Sequence, residues 1–535
     1  MHIPDPPNIS YWDASPILRD ICKRRLGVGQ ALSLSGQGQA GELVLHRLRE
    51  MGERAAFEVA PLAQIADRES PRLVTHNAKG NRINRVEYHP AYREMERIAY
   101  GSGMITVNYS SWSADVSSAA SGRPARSLEA SPEQSPGGTP DDGGRDARAP
   151  RTFGFALGYL FAMAEMGLYC PLCMTDGVAH VLTRHGTPEQ IARVVPHLAS
   201  SDRETLWTGG MFLTERAGGS DVGANETIAR DGKLTGQKWF CSNVDADAVL
   251  VTARPDGAPA GTRGLHTYLM LQRGNPGITI ERLKEKLGVR SMPTGEVTLR
   301  DAPAEEVGSF HAIADMMNMS RLYNAVASCA VIGRAIHEAR WYIERRNAFG
   351  RPVIEWPLAL ETMMDLEAEH AGAMLLTFET IDALQRGDER LLRILTPIAK
   401  AVTGKLAVPC VSEAMELIGG NGYIEESPMP RLLRDAQVLP IWEGTTNILV
   451  LDALRTANKE AGHELLLTRI RAHFPAEADS LAAAFASLDE RDARGWVDRL
   501  ARMFELTLLA ENEYGEHVDR LLGRPLGMLP GARRP

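Results

Sequence analysis

The spacing of apolar residues changes twice along this 535-residue chain, and that change limits the possible folds more than any other feature. Up to about residue 205 the spacing is helical, as in Gly154–Met166 (GFALGYLFAMAEM). From about Leu206 to Ala302, short β-rich runs such as AVLVTA lie between Gly, Pro and Asp turns. After about Phe310, apolar residues recur every three or four positions, which is typical of long helices. This order predicts a helical bundle capped by a small, mainly antiparallel β domain.

Four units follow from the change of spacing. We predict an N-terminal helical domain over residues 1–205, a middle β domain over 206–307, a helical bundle over 308–458 and a helical C-terminal extension over 459–535. Within the first unit, residues 114–150 are dense in Ser, Pro, Gly, Asp and Arg, with almost no large apolar side chains. Such a segment cannot bury enough apolar surface to offset the entropy of ordering it, so we predict a disordered insertion there.

The composition is that of an ordinary soluble globular protein, with 44% apolar and 24% charged residues. A net charge of −9 argues against a uniformly basic nucleic-acid-binding protein. The sequence has no long uncharged apolar run, and its first residues lack the apolar core of a secretory signal. We therefore expect a cytoplasmic protein with no membrane partner.

The six cysteines are too few in a chain of this length to form a disulfide framework. Cys170 and Cys173 make one C-x-x-C pair, but zinc would need two more ligands at a suitable spacing. Because the sequence offers no partner pair, we predict no metal site. We interpret both cysteines as buried thiols, with a redox or metal role as the alternative.

Three segments carry residue types suited to holding a planar or phosphorylated ligand. Met211–Val222 (MFLTERAGGSDV) follows an apolar run and offers hydroxyls and backbone N–H groups. Gln237–Ser242 (QKWFCS) places aromatic rings beside a hydroxyl. Glu344–Pro352 (ERRNAFGRP) places Arg346 where its guanidinium could pair with a phosphate. Each segment also has a plain structural interpretation: a Gly-rich turn, a core aromatic residue and a surface cation at a helix end.

The fourth segment, Ala414–Asn447, is the most informative. Gly419 and Gly420 permit close approach of the backbone to a ligand. Further on, IWEGTT places the carboxylate of Glu443 in an apolar neighbourhood. Loss of water raises the pKa of a carboxyl group and strengthens it as a base. A Glu on a loop is more often simply solvated, so this segment alone leaves both interpretations open.

Together, in this order and at roughly this spacing, the four segments resemble those of the acyl-CoA dehydrogenase family. The resemblance covers about Leu206 to Arg455, and GGNGYIEESPMPRLLRDA followed by IWEGTTNI is its most specific part. It implies an N-terminal helical domain, a middle antiparallel β-barrel and a C-terminal four-helix bundle, assembled as a homotetramer. It also implies an FAD-dependent oxidoreductase that oxidises an acyl-CoA thioester and passes electrons to an electron-transfer flavoprotein.

Carried over residue by residue, the resemblance makes Glu443 the catalytic base, which takes the α-proton of the thioester while flavin N5 accepts the β-hydride. It matches Ser220, Arg321 and Gly444 to positions near the substrate. The positions that match FAD-binding residues of the family are Met211, Thr214, Ser220, Phe240, Cys241, Ser242, Arg346, Phe349, Glu416, Gly419, Gly420, Thr445 and Asn447. The glycine-rich segment in this set matches one that meets the FAD of a neighbouring subunit.

The resemblance is strongest to the AidB-like branch, named for a protein of the adaptive response to DNA alkylation. Shared features are W-F-x-S, A-M-E-x-x-G-G-x-G-Y-x-E-E-S and I-W-E-G, and Pro357 stands where typical dehydrogenases keep a cofactor-binding Gln. The DNA-binding proposal for that branch rests on a basic C-terminal region. Here residues 459–535 hold eleven Lys and Arg against thirteen Asp and Glu, a net charge of −2. Such a region releases few counterions from duplex DNA, so DNA binding is disfavoured.

Three functions remain open at this point. The leading one is acyl-CoA dehydrogenation. The second is an alkylation-response flavoprotein associated with DNA, with little dehydrogenase activity. The third is a flavin-holding scaffold in which bulky side chains fill the space in front of Glu443.

Overall fold

The computed structural model describes residues 4–26, 37–109 and 151–526. The insertion predicted at 114–150 lies outside these residues. Over the described part, the N-terminal domain is mainly helical, with one β-hairpin and a π-helical turn (Ala55–Val59). Its elements are α1 (Pro16–Leu26), α2 (Gln37–Arg54), α3 (Ala60–Arg68), β1 (Arg72–His76), β2 (Arg82–Glu87), α4 (Pro90–Gly101), α5 (Arg151–Ala164), α6 (Met166–His185) and α7 (Pro188–Leu198).

Helices α5 and α6 form the centre of this domain. Every residue of α5 after Arg151 is buried, because its apolar side chains surround the helix instead of lining one face. A Cβ atom at Gly158 would lie 2.6 Å from the Tyr169 hydroxyl of α6, so the glycine permits the two helices to approach. The side chain of Glu165 starts α6 by accepting a hydrogen bond from Leu168 N at 3.1 Å. The result is a closely packed support on which the middle domain rests.

The middle domain is a mixed, open sheet. Its strands are β3 (Gly209–Phe212), β4 (Ile228–Arg230), β5 (Lys233–Ser242), β6 (Ala248–Pro255), β7 (His266–Leu271), β8 (Ile278–Leu283), β9 (Thr294–Pro303) and β10 (Glu305–Ser309). The hydrogen-bonded order is β10-β7-β6-β4-β5-β9-β8, with β3 paired to β6. Both β3 and β4 run parallel to β6.

The expectation of an antiparallel barrel is therefore corrected. The strand path has two ends, at β10 and β8, and so does not close. Parallel pairing requires a long crossover between the paired strands. The chain provides one, because β4 and β5 lie between β3 and β6 in the sequence. The short β-rich runs predicted the strands but carried no information on their relative direction.

Four long helices form the C-terminal bundle: α8 (Phe310–Arg345), α9 (Pro357–Arg386), α10 (Glu389–Ile418) and α13 (Thr446–Glu460). Between them lie the two-stranded hairpin of β11 (Asn347–Ala348) and β12 (Arg351–Pro352), the short α11 (Gly420–Tyr423) and α12 (Met429–Ala436). Ser309 caps α8 by accepting a hydrogen bond from His311 N. Gly387 ends α9 in the left-handed conformation, with φ of 67°. The predicted order of helical, β and helical domains is confirmed.

The C-terminal extension adds α14 (His463–His473), α15 (Pro475–Ala486), α16 (Ala493–Glu511) and α17 (Gly515–Leu521). It packs on the bundle through α16 and α17, which lie against α9. Arg502 of α16 donates to both carboxylate oxygens of Glu369 on α9, at 2.8 and 2.9 Å. Both hydrogen bonds come from Nη2 of Arg502 and both side chains are buried, so this ion pair fixes the extension to the bundle.

One described helix, α10, has the length and apolar composition of a membrane-spanning segment. Of the window that meets these criteria, 83% is buried inside the protein, as expected for the core helix of a bundle. All six cysteines are free and buried, which agrees with the interpretation of Cys170 and Cys173 as core thiols.

Candidate active site

Glu443 lies in a turn between α12 and α13 whose backbone is strained. Its φ is 58°, in the left-handed region that disfavours residues with a side chain, and Gly444 follows with φ of 103°. Such conformations persist only where the surroundings hold them in place, and they are concentrated at functional sites. The backbone N–H of Glu443 makes no hydrogen bond among the described residues.

The carboxylate of Glu443 is turned inward against α8. Ser320 donates its hydroxyl hydrogen to Glu443 Oε2 at 2.5 Å. Burial raises the pKa of the Glu443 carboxyl group. This effect prevails over the lowering by the Ser320 hydrogen bond and by the charges of Arg321 and Lys400. A carboxylate with a raised pKa is a stronger proton acceptor, as an α-proton base requires.

Two cations hold the backbone of the same turn. Arg321 Nε donates to the carbonyl oxygen of Glu443 at 3.2 Å, and Lys400 Nζ donates to that of Gly444 at 2.6 Å. Arg321 is itself oriented by Asp452 of α13, at 2.8 Å. Arg393 also donates to Asp452, at 2.6 Å, and Arg455 lies 3.7 Å from it, so this carboxylate offsets three guanidinium groups. The turn is thus fixed from three helices of the bundle.

Helix α6 connects this turn to the β domain. The base turn lies near this helix, since the charge of Glu443 contributes to raising the pKa of the Cys170 and Cys173 thiols, after the larger effect of burial. On another side of α6, Thr175 Oγ1 accepts a hydrogen bond from Gly209 N of β3 at 2.9 Å. A Cβ at Gly209 would lie 2.7 Å from backbone atoms of α6, so only glycine permits this approach. The base turn and β3 therefore flank the same helix.

The first two predicted segments meet in the β domain. Trp239 N donates to the Thr214 carbonyl oxygen at 2.9 Å. The hydroxyls of Thr214 and Ser220 make no hydrogen bond within the described ranges, and Met211 beside them is half-buried. The ring of Phe240 is 57% exposed, although Phe is usually a core residue.

The next two residues of β5, Cys241 and Ser242, face opposite sides of the sheet. Ser242 Oγ lies 3.4 Å from Thr294 Oγ1 of β9 and is half-buried. Cys241 points to the opposite face, into the buried core of the sheet. Its side chain therefore cannot reach a ligand on the Phe240 face, and only its backbone could contact a cofactor there.

A second group of predicted residues lies at the far end of α8. Phe349 is 93% exposed, with φ of 53°, and Arg346 is half-buried and donates to the Asn347 carbonyl oxygen. Asn421 Nδ2 donates to the Tyr342 hydroxyl at 2.6 Å, which brings the segment of Glu416, Gly419 and Gly420 to this end of α8.

The residues at the far end of α8 do not meet the base turn of the same chain. Tyr342 follows Ser320 by 22 residues on one continuous helix, which separates them by about 33 Å at 1.5 Å per residue. Arg346 and the glycine segment therefore cannot contact a ligand held beside Glu443 unless that ligand is very long. A role at the site of another subunit, as the resemblance implies, remains compatible with this separation.

Several polar groups of the base turn and of the β domain are left free for a ligand. Besides the backbone N–H of the base and the hydroxyls of Thr214 and Ser220, Thr445 caps α13 without a side-chain hydrogen bond. Asn447, two residues further on, is exposed and makes no side-chain hydrogen bond in the described part of the chain. Unpaired donors and acceptors together with an exposed aromatic ring fit a planar heteroaromatic cofactor such as FAD.

Sequence reasoning missed two residues of this site. Ser320 sits next to Arg321 in MSRLY, but a Ser on an amphipathic helix gives no functional signal. Lys400 gave a weak signal, because a single Lys in the apolar run LTPIAKAVTG is unusual for a core helix. Both contacts depend on how three helices pack, which residue spacing does not encode.

Comparison with known proteins identifies the class. Three family models match: the acyl-CoA dehydrogenase C-terminal domain at residues 310–457, the acyl-CoA dehydrogenase middle domain at 210–302, and the N-terminal domain of the adaptive response protein AidB at 7–138. The chain belongs to the acyl-CoA dehydrogenase family. Within that family it is similar to AidB of Escherichia coli (strain K12), with 32% identity over 95% of this chain and 88% of AidB.

Two further comparisons extend this result. Acyl-CoA dehydrogenase family member 11 of Caenorhabditis elegans is 36% identical over 76% of this chain, which spans 66% of that relative's length. The crystal structure of Caenorhabditis elegans ACDH-11 in complex with C11-CoA superposes with a TM-score of 0.82 at 30% identity, covering 98% of this chain and 93% of that one. The apo-form of Bd2924 also gives 0.82 at 30% identity, covering 96% and 100%.

Proposed function

We propose that this protein is an FAD-dependent acyl-CoA dehydrogenase in which Glu443 removes the α-proton of an acyl thioester. The observation that carries the proposal is the geometry of one turn. In this turn the carboxyl group of Glu443 points inward and has a raised pKa, and the backbone N–H of the same residue is unpaired in a strained conformation. A base and an adjacent donor are what α-proton abstraction beside a carbonyl requires.

The family typically binds FAD, and when bound this cofactor accepts the hydride that leaves the β-carbon. On the β-domain side, Thr214, Ser220, Phe240 and Ser242 would hold it, with Met211 beside them. On the bundle side, the proposed contacts are Thr445 and Asn447. We assign Arg346, Phe349, Glu416, Gly419 and Gly420 to the FAD of a second subunit in a homotetramer, because about 33 Å separates their end of α8 from the base.

The chain's own residues account for the proton transfer. The α C–H bond breaks and its proton moves to a carboxylate oxygen of Glu443. The electron pair shifts towards the thioester carbonyl, whose oxygen the free N–H of Glu443 can stabilise. Arg321 and Lys400 hold the turn during this step, and Ser320 orients the carboxylate. Ser220, Arg321 and Gly444 are the proposed neighbours of the substrate.

The proposed substrate class is supported by the structure of a relative. A relative of known structure was crystallised with C11-CoA, and we propose an acyl-CoA thioester here as well. An electron-transfer flavoprotein is the proposed electron acceptor, and the cytoplasm is the proposed location. The length of the acyl chain remains to be measured with a panel of thioesters.

The ion pairs of the extension favour this function over association with DNA. Arg469 pairs with Glu511 and Glu379, and Arg520 with Glu361 and Asp365. Carboxylates thus already offset arginines that a duplex would need for its phosphates. A DNA-associated protein would bind duplex DNA in a salt-dependent manner, and measuring that binding tests this alternative.

The direct test is anaerobic titration of the purified protein with acyl-CoA thioesters of different length. We expect the flavin absorption band to bleach with at least one thioester. The variant Glu443→Gln should bind the thioester without bleaching. The matched control is Glu426→Gln, an exposed Glu of the same segment, which should bleach as the wild type does. A colourless protein that takes up no FAD, or equal bleaching by Glu443→Gln, would overturn the proposal.

A further inference from the structure

Lys400 is an unusual residue for its position. It lies in the middle of α10, is 0% exposed, and belongs to an otherwise apolar stretch. Burying an ammonium group is costly unless a carboxylate or several hydrogen-bond acceptors compensate it. Its single hydrogen bond within the described residues goes to the carbonyl oxygen of Gly444 at 2.6 Å, and it forms no ion pair there.

Another buried lysine shows what a purely structural arrangement looks like. Lys238 of β5 donates to Glu215 Oε1 at 2.5 Å and to the Thr252 carbonyl oxygen at 2.7 Å. Its charge is thus neutralised by a direct partner. Lys400 lacks such a partner, so its charge acts on whatever ionisable group is nearest.

The charged groups that face Lys400 are Glu443, from the base turn, and Arg321, from α8. Arg321 has a carboxylate partner in Asp452, which it shares with Arg393. Lys400 has no such partner among the residues described, so the carboxylate of Glu443 is the counter-charge that it meets at the base turn, although no direct ion pair joins them. The two groups influence each other reciprocally, since Lys400 lowers the pKa of Glu443 and Glu443 raises that of Lys400.

We propose that Lys400 is a positioning residue for the base: it fixes the Glu443–Gly444 turn and, together with Arg321, supplies positive charge that favours the ionised Glu443 carboxylate before the reaction. This inference rests on the proposed dehydrogenase function and deepens it. Lys400 acts in its protonated form, transfers no proton in the step and forms no bond to the substrate. When Glu443 receives the α-proton, the ammonium group loses its counter-charge, which favours return of the carboxylate to the ionised state.

The pH dependence follows from the same geometry. Burial lowers the pKa of Lys400 to about 7, despite the opposing effect of Glu443. Below that pH the ammonium group is charged and supports the ionised base. Above it the ammonium charge is lost and no longer supports the ionised base. The charge of Lys400 therefore matters most on the acidic side of the pH–rate profile.

The test compares Lys400→Gln, Lys400→Met and Lys400→Arg with the control Lys405→Met, an exposed lysine one turn and a half along α10. The Gln variant can still donate to Gly444 but carries no charge. We expect the acidic limb of the kcat/KM profile to move up by about one pH unit or more in the Gln and Met variants. The Arg variant should keep the limb near its original position, and Lys405→Met should match the wild type.

A second readout does not depend on turnover. In the FAD-loaded protein, infrared spectra recorded against Glu443→Gln isolate the C=O stretch of the protonated Glu443 carboxyl group. Its titration should move to higher pH in Lys400→Gln. If no thioester bleaches the flavin, the dehydrogenase proposal fails, while the infrared titration still decides the role of Lys400. An unchanged Glu443 titration in Lys400→Gln, or a lowered melting temperature with an unmoved acidic limb, would overturn the inference.

Discussion

Replacing Glu505 by Gln should stabilise the protein above about pH 5, because the wild-type carboxyl group is buried where ionisation is unfavourable. Glu505 lies on α16 between α9 and α10 of the bundle and is fully buried. It accepts one hydrogen bond from Arg502 at 3.1 Å, but Arg502 also binds Glu369 with two hydrogen bonds. Oε1 of Glu505 has no hydrogen-bond partner.

The magnitude follows from the pKa of Glu505. Burial raises the pKa of its carboxyl group from 4.5 to about 8, against the lowering by Arg502. Between these values the unfolded chain has released the proton and the folded protein has not. Raising the pH through this window therefore lowers the free energy of unfolding, by about 1.4 kcal/mol per pH unit. The loss reaches roughly 4 kcal/mol at pH 8 and becomes constant above it.

The measurement is the apparent melting temperature of wild type and Glu505→Gln from pH 5 to pH 9, at one scan rate. The Gln variant does not titrate here, so the difference should be small at pH 5 and grow by several degrees towards pH 8. Glu490→Gln, an exposed substitution in the same extension, controls for loss of a negative charge. Parallel curves for wild type and Glu505→Gln would refute the reasoning.

Three further substitutions test the site and its supports. Ser320→Ala removes the 2.5 Å hydrogen bond that favours ionised Glu443. The acidic limb of the kcat/KM profile should therefore move to higher pH by about one unit, and a limb at the wild-type pH would contradict the contact. Asp452→Asn leaves Arg321 buried without its carboxylate and should lower the free energy of unfolding by about 3–5 kcal/mol, measured as a lower urea midpoint. Gly209→Ala places a Cβ 2.7 Å from the backbone of α6, so it should reduce the amount of bound FAD and lower the free energy of unfolding by about 1–3 kcal/mol. The control is Gly101→Ala, whose Cβ meets nothing within 4 Å and which should be tolerated.

The regular elements were predictable because each depends on local spacing. The three-to-four repeat of apolar residues predicted α8, and the short β-rich runs predicted β6, β7 and β9. The parallel pairing of β3 with β6 was not predictable, because strand direction is set by the crossover between them. The prediction of a closed antiparallel barrel was wrong on both points, because the sheet contains parallel pairs and its strand path ends at β10 and β8.

In the candidate site, too, local motifs were predictable and contacts that depend on packing were not. The IWEGTT motif indicated Glu443, but neither its left-handed φ nor its contact with Ser320 could be derived from spacing. Lys400 escaped notice because an isolated Lys in a helix is usually a surface residue whose chain reaches solvent. Cys241 was included with its neighbours among the cofactor-binding positions, although alternation along β5 turns its side chain into the core.

The most direct test of the central claim is loss of the α-deuterium from an α-deuterated acyl-CoA, followed by NMR in ordinary water under anaerobic conditions. This signal reports breakage of the α C–H bond itself, independently of any electron acceptor. The account predicts that the FAD-loaded wild type removes the label with at least one thioester, and that Glu443→Gln does not. Equal removal by both proteins would show that another group is the base, and would contradict the account.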